Sequence, residues 1–363
     1  MSRQGAETEL QKLLILSTPV GPLGSGLGGG VERTINSLVA GFRERAWEID
    51  VVAPAGSTLA AEGAHLIQAE GSLQPPAQRA SNGVESSVLK SLCRYAKERQ
   101  AEYDLILNFA YDELPYRLTV ELQTPLVHFV SMSSIHPEMD RAITRTGKLF
   151  PGRLACYSYR QAQTFPSPEA FQVLGAGIDS SLYTFRSRPR EYFVWAGRIS
   201  PEKGLEDAVE ASALCGCRLL VLGKMENLAY WNRVMEQYPG TKPKYGGYHD
   251  TRHFQELLGW ARALLMTPRW VEAFGLVTLE ALACGVPVIS YNRGGPSGIV
   301  KDGKTGYLTE PDRPDKLAGA MNRIDSIDRA FCRQDLEERF SRIEWCNLME
   351  GWFNSITRRE RAL

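Results

Sequence analysis

Lys12-Leu-Leu-Ile-Leu-Ser-Thr18, Pro19-Val-Gly-Pro-Leu-Gly-Ser-Gly-Leu-Gly-Gly-Gly30, Val31-Glu-Arg-Thr-Ile-Asn-Ser-Leu-Val-Ala-Gly-Phe42 and, a few residues on, Ile49-Asp-Val-Val-Ala53 decide the fold. The first and last of these segments are short apolar runs, as expected of strands buried on both faces. The second holds six glycines, at 21, 24, 26, 28, 29 and 30, which suit a loop and not the interior of a helix or strand. In the third, Val31, Ile35, Leu38 and Phe42 recur at helical spacing. Pro54 ends the last segment. Strand, glycine loop, helix, strand is the opening of a doubly wound α/β domain.

Downstream, Ser86 to Arg99 reads as a helix with Val88, Leu92 and Tyr95 inward, and Asp104–Asn108, Leu126–Val130, Leu154–Tyr157 and Phe171–Leu174 as further strands. Residues 1–11 read as a disordered tail and 71–83 as a mobile polar loop. Gly175 to Glu191 carries little periodicity and reads as an interdomain linker. The pattern restarts after it: strand Tyr192–Ala196, loop Gly197–Gly204, helix Leu205–Ala213, strand Arg218–Leu222, a strand and turn over Tyr245–His249, helix Thr251–Ala261 and strand Ala263–Thr267. Arg269-Trp-Val-Glu-Ala-Phe-Gly-Leu-Val-Thr-Leu-Glu-Ala-Leu-Ala-Cys-Gly-Val-Pro-Val-Ile289 then gives a loop, a helix stopped by Gly285, and a buried strand. The expected architecture is two doubly wound halves with a ligand in the cleft between them.

At 363 residues the chain is long for a single core, which agrees with two domains. Lys plus Arg equals Asp plus Glu, 42 each, so no net field favours nucleic acid or an anionic membrane. The polar, acidic start gives no signal peptide, and no stretch approaches the 18 apolar residues of a membrane span. Seven scattered cysteines read as reduced thiols and point to the cytoplasm. Neither H-E-x-x-H, G-x-S-x-G nor D-x-D occurs, and the five histidines show no metal-ligand spacing beyond the loose pair His249/His253. No metal and no cofactor is expected.

Three constellations carry chemistry. Gly24-x-Gly26-x-x-Gly29 nominally matches a dinucleotide fingerprint, but an acidic residue at the end of strand two is missing. Gly28-Gly-Gly-Val-Glu32 reads better as a loop whose amides open toward an anion at the helix start. Arg198 and Lys203, in Gly197-Arg-Ile-Ser-Pro-Glu-Lys-Gly204, can clamp a diphosphate from two sides and stabilise it as it departs. Glu272 and Glu280, with seven residues between them, admit two readings. One is a glycosidase-like acid/base pair. The other, which suits their place around a helix start better, is a pair of hydroxyl-holding carboxylates.

Taken together, Gly28–Glu32, Gly197–Gly204, Glu272 through Pro287, Gly294-Gly295 and Gly303-Lys-Thr-Gly-Tyr-Leu308 resemble the retaining glycosyltransferases of family 4, which have the two-lobed GT-B fold. The resemblance implies an acceptor domain over 1–185, a donor domain over 186–340, and a final helix, 341–363, returning to the first. It implies that Arg198 and Lys203 bind the donor diphosphate. Glu272 and the backbone of Phe274, Gly275 and Leu276 would meet the sugar or phosphate, Glu280 the ribose, and Tyr248 the base. Gly29 and Gly30 would lie near the diphosphate. Two positions depart from the family pattern: Ser131 stands where many members have a histidine, and Ser297-Gly298 where a glutamate is frequent.

Ser17–Glu32, Asp104–Asp112 and Leu265–Gly275, together with Ser131, are similar to members that transfer glucose from UDP-glucose to tetrahydrobiopterin. That likeness implies a pterin acceptor, with Asn108, Phe109, Tyr111, Ser131 and Met132 beside it. Two further readings stand beside it: a family member with another donor or another acceptor (glycan, lipid or metabolite), and a non-catalytic nucleotide-sugar-binding protein. Oligomeric state has no signal in the sequence.

Overall fold

The structure, a computed structural model, describes residues 10–60, 62–75, 87–241 and 243–361. Most of the tail read over 1–11 and the 76–83 part of the polar loop lie outside the described residues. Gln11, read with the tail, instead opens the first strand.

The chain divides into two compact units. The first takes the residues up to Tyr157, Ala162–Gly177 and the chain from Arg342 on; the second takes Ser158–Gln161 and Ile178–Ser341. In chain order the first contains β1 (Gln11–Leu16), α1 (Gly30–Phe42), β2 (Trp47–Pro54), β3 (His65–Ala69), α2 (Ser87–Arg99), β4 (Leu105–Asn108), α3 (Glu113–Leu118), β5 (Leu126–Val130), α4 (Pro137–Leu149), β6 (Leu154–Cys156) and β7 (Phe171–Val173). The single turn α5 (Tyr159–Ala162) precedes β7. Its seven strands are parallel in the order β3-β2-β1-β4-β5-β6-β7. Leu13, Leu14, Ile15 and Leu16 are all fully buried, as a central parallel strand with helices on both faces requires. The order reverses between β1 and β4, so the loops after these two strands flank the switch point, where doubly wound sheets bind ligands.

The second unit repeats the plan with β8 (Phe193–Ala196), α6 (Leu205–Cys215), β9 (Leu219–Leu222), α7 (Leu228–Gln237), β10 (Lys244–Gly247), α8 (Thr251–Gly259), β11 (Leu264–Met266), α9 (Leu276–Ala283), β12 (Val288–Tyr291), α10 (Pro296–Ile299), β13 (Gly306–Thr309), α11 (Pro314–Asn322) and α12 (Arg329–Phe340). Six parallel strands run β10-β9-β8-β11-β12-β13. Here the switch point falls between β8 and β11, where Val194 and Trp195 pair with Leu264 and Leu265. The loops leaving these strands carry Arg198 and Lys203 on one side and Glu272 on the other. The segment read as a linker crosses between units at Gly177/Ile178. Its remainder packs on the second unit: Ile178 N–H donates to Phe340 O (2.9 Å), and Arg186 N–H to Cys284 O (3.0 Å).

The last helix, α13 (Arg342–Arg361), packs on α1 of the first unit. Phe353 is fully buried between Phe42 and Trp47, with ring centroids 5.7 and 5.6 Å away. Arg45 pairs with Glu350 and donates to Asn347 Oδ1 at 2.7 Å. Trp352 Nε1 donates to Gly152 O at 2.7 Å. Removing the Phe353 ring takes away the centre of this contact. Phe353→Ala is expected to cost the first unit about 3–5 kcal/mol, the range for a buried aromatic, read as a lowered denaturation midpoint; an unchanged midpoint would contradict this packing.

Candidate functional site

In the second unit the loop after β8 is fixed by backbone contacts. Gly197 N–H donates to Leu222 O (3.0 Å) and Ile199 N–H to Lys224 O (2.9 Å). Gly204 has φ +65°, and a Cβ there would lie 2.1 Å from Thr267 O. Only glycine lets this loop press against the loop after β11. That second loop is gripped from its other side by Gly294 and Gly295. A Cβ on Gly294 would fall 2.5 Å from Glu272 O, one on Gly295 2.3 Å from Phe274 Cα, and Gly295 N–H donates to Glu272 O at 2.7 Å. In the sequence Gly294-Gly295 is only part of a pattern; in the fold the pair holds the Glu272 backbone.

These contacts bring Lys203 and Glu272 together as an ion pair, partly screened from solvent. Trp270 Nε1 donates to the same carboxylate oxygen at 3.2 Å, and Lys203 Nζ stands 5.2 Å from the Trp270 ring centroid. Arg198 is held by two carboxylates, Glu226 Oε2 at 3.1 Å and Glu202 Oε1 at 3.4 Å. So the two cations face three carboxylates. The sequence does not single out Glu226, because 28 positions separate it from Arg198, nor Trp270, whose bond to Glu272 two residues on is a matter of side-chain orientation.

Glu280 has a separate surrounding. It is 1% exposed on α9, and its Oε1 accepts from Tyr183 Oη at 3.0 Å. Gly275, at φ +85°, caps the start of α9. Phe274 is buried, its ring 6.2 Å from that of Phe340, while Leu276 is half-buried. Tyr248 is 54% exposed after β10, where His249 Nε2 lies 2.6 Å from Gly246 O.

In the glycine loop of the first unit the Gly28 amide, one of those expected to face an anion, is already engaged. The amides of Gly24, Gly26 and Gly28 do not open to an external anion. They donate to the carboxylate of Glu32, at 2.8 and 3.1 Å on Oε2 and 2.6 Å on Oε1. Glu32 is 6% exposed. A carboxylate inside a nest of backbone N–H groups satisfies both partners and fixes the loop. Gly29, at φ +58°, sits just before α1, and a Cβ there would meet nothing within 4 Å; Gly30 begins the helix. The Gly-x-Gly-x-Gly-x-x-x-Glu spacing is visible in the sequence, but not the direction of its N–H groups. Glu32→Gln puts amide hydrogens against these donors. It is expected to weaken the loop by about 1.5–3 kcal/mol, seen as faster hydrogen exchange at Gly24, Gly26 and Gly28; unchanged exchange would contradict the nest.

Two residues expected at an acceptor turn into the core. Asn108 is 1% exposed. Its amide binds the Ala110 backbone at both ends (3.0 Å each), and its Nδ2 donates to His128 Nδ1 at 3.1 Å. Phe109, also 1% exposed, packs on Phe129 with centroids 5.4 Å apart. Both shape the loop after β4 and present no side-chain surface. Tyr111, Ser131 and Met132 remain half-buried at the ends of β4 and β5.

His128 is buried under the Tyr116 ring, stacked at 4.0 Å. Because Nδ1 accepts, its proton is on Nε2 and is donated to Thr119 Oγ1 at 2.8 Å, whose hydroxyl donates to Pro115 O at 3.1 Å. Burial, reinforced by the Arg153 guanidinium, lowers the imidazole from 6.5 to about 3. The unfolded chain takes up a proton near pH 6.5 that the folded one refuses. Stability is therefore complete above that pH and falls as pH drops toward 3, by up to about 1.4 kcal/mol per unit. Urea midpoints of the wild type are expected to fall between pH 6.5 and 4.5 more steeply than those of His128→Gln; equal slopes would contradict this.

Known proteins resemble the second unit in sequence and share the two-sheet plan. Residues 185–340 match the family model of glycosyl transferases group 1. The matched stretch lies within the second unit. The D-inositol 3-phosphate glycosyltransferase of Arthrobacter sp. (strain FB24) is 30% identical over 172 residues, 42% of this chain and 41% of the relative. The chain thus spans less than half the length of that curated relative. Solved structures align along nearly the whole chain. HepE from Anabaena, solved with UDP and glucose, has a TM-score of 0.74 at 20% identity, covering 95% of this chain and 100% of that one. Sucrose-phosphate synthase from Thermosynechococcus elongatus has 0.77 at 18% identity, covering 96% and 100%. The chain has the GT-B fold. Among the described residues, no helix is long and apolar enough to cross a membrane, and no group of three or more His, Cys, Asp or Glu is placed to hold a metal ion.

Proposed function

We propose that this GT-B chain is a retaining hexosyltransferase that uses a UDP-sugar, and that its donor site is the switch point of the second unit. The observation that carries the reading is the ion pair of Lys203 with Glu272 at that switch point, with Arg198 on the same loop as Lys203, inside the region similar to glycosyl transferases group 1. Glycosyl transfer breaks the bond between the sugar's anomeric carbon and a diphosphate oxygen. Negative charge grows on the diphosphate as the bond breaks, and fixed cations beside it lower the barrier. Arg198 and Lys203 take that role. Glu272 accepts from sugar hydroxyls, and Glu280 from the ribose. Tyr248 lies against the base, and the backbone of Phe274, Gly275 and Leu276 lines the sugar and phosphate. The acceptor oxygen forms the new bond from the leaving-group face, and its proton passes to the departing phosphate, so configuration is retained without a protein nucleophile.

Glucose is the proposed sugar and tetrahydrobiopterin the proposed acceptor. The support is the resemblance over Ser17–Glu32, Asp104–Asp112 and Leu265–Gly275, and the fold shared with a structure holding UDP and glucose. Tyr111, Ser131 and Met132 are the acceptor-side residues in this reading, with Gly29 and Gly30 near the diphosphate. An inositol phosphate is the second acceptor considered, because the relative quoted above is named for one. Seven free thiols suit a reducing compartment, so we place the enzyme in the cytoplasm.

The test is incubation with radiolabelled UDP-glucose or GDP-mannose, each with tetrahydrobiopterin, inositol 3-phosphate or neither. Label on the pterin from UDP-glucose is the expected result. Label on inositol phosphate alone would replace the acceptor, and transfer to neither, without donor binding, would overturn the enzymatic reading. Lys203→Ala is expected to lose roughly a hundredfold or more in kcat/KM.

A further inference from the structure

Arg198 is already engaged by the chain itself. Its two terminal nitrogens, the pair a guanidinium offers to a phosphate, are both occupied: Nη1 by Glu226 at 3.1 Å and Nη2 by Glu202 at 3.4 Å. Glu202 follows on the same loop, and its Oε1 also accepts from Ser200 Oγ at 2.8 Å. Glu226 comes from elsewhere, the loop between β9 and α7, and is itself largely screened from solvent.

The backbone on either side of Glu226 is held by hydrogen bonds to the Arg198 loop. Ile199 N–H donates to Lys224 O (2.9 Å), and Asn227 N–H donates back to Ile199 O (3.1 Å). These two bonds zip the loops together on either side of Glu226. Asn227 then caps α7, its Oδ1 accepting from Tyr230 N–H at 2.8 Å. Both partners of the Arg198–Glu226 pair are largely screened from solvent, so the pair is less weakened by water than an exposed surface pair. Lys203 is meanwhile paired with Glu272. Glu272 has a use once a sugar arrives, since sugar hydroxyls can donate to it. Glu226 has no such use in the donor reading.

We propose that Glu226 is a positioning residue that competes with the donor's diphosphate for Arg198, holding the guanidinium between turnovers and setting how tightly the nucleotide diphosphate is bound and released. The inference rests on the donor-site reading above. A diphosphate entering the loop takes Arg198 from Glu226; when it leaves, Glu226 takes the guanidinium back. A free nucleoside diphosphate carries more charge than the sugar-bound form and holds the cations harder, so the returning carboxylate favours product release.

The competition acts on phosphate charge alone, which gives it a signature that a structural role lacks. Calorimetry of the full chain with UDP, GDP and ADP identifies the diphosphate that binds best, and its parent nucleoside serves as the uncharged control. Glu226→Gln is expected to tighten binding of that diphosphate at least threefold and leave the nucleoside unchanged. Glu226→Ala should act in the same direction and carries the test if the Gln variant does not fold. In turnover, KM for the donor should fall while kcat does not rise. Unchanged or weaker diphosphate binding, or an equal change for diphosphate and nucleoside, would overturn the proposal. A wild-type chain that binds none of the three diphosphates would instead overturn the donor-site reading itself.

Discussion

The ion pair between Lys203 and Glu272 depends on a constraint of backbone, not of charge. Gly204 must lie where any side chain would strike Thr267 O, and Gly294 and Gly295 must lie where any side chain would strike the backbone of residues 272–274. Three loops from β8, β11 and β12 therefore stack closely at these glycines. This close approach is what sets a lysine from one strand end beside a glutamate from another. The remaining polar groups reinforce it. Thr267 Oγ1 donates to Gly204 O at 2.6 Å, and Trp195 Nε1 donates to Thr267 Oγ1 at 3.1 Å, tying the stack to the sheet below. Arg269, at the mouth of the loop, is anchored by Asp207 at 2.8 Å, which also accepts from Tyr291 Oη at 2.8 Å.

A common electrostatic device appears in both units. In each, groups suited to hold an anion already hold a carboxylate of the chain. In the first unit three glycine amides surround Glu32. In the second, Arg198 and Lys203 are matched by Glu202, Glu226 and Glu272. An internal carboxylate satisfies donors that would otherwise repel one another or stand partly dehydrated. The two cases differ in how readily the carboxylate can be displaced. Glu32 is nearly sealed and its bonds are to backbone, so it behaves as a structural member of the loop. The carboxylates around Arg198 and Lys203 are side-chain partners that an incoming phosphate can replace.

Much of the architecture is legible in the sequence because buried parallel strands announce themselves as apolar runs. The run Leu126–Val130 coincides with β5 to the residue, and Leu13–Leu16 and Val288–Ser290 carry the same signal. The elements that escape a sequence reading bury few side chains. β3, at the sheet edge, has one buried residue, Ala69. α4 buries only Met139, Ile143 and Thr146, and α7 only Tyr230 and Val234. The charged residues of the candidate site are visible as types and spacings, but their pairing is not. Arg198 and Glu226 stand 28 positions apart, joined by a loop-to-loop zip that no local pattern encodes. For Asn108, position in the sequence points to the site while burial turns its amide toward His128. A strand-end polar residue has two faces available, and only packing chooses between them.

Cations at the strand ends of the second unit, in the proposed mechanism, exchange internal carboxylates for a nucleotide diphosphate. A crystal structure of the full chain with bound UDP tests that exchange without intermediaries. Diphosphate oxygens are predicted on Arg198 and Lys203, with Glu226 drawn off Arg198 and Glu272 drawn off Lys203. UDP bound elsewhere, with the ion pairs of Arg198 and Lys203 intact, would contradict it.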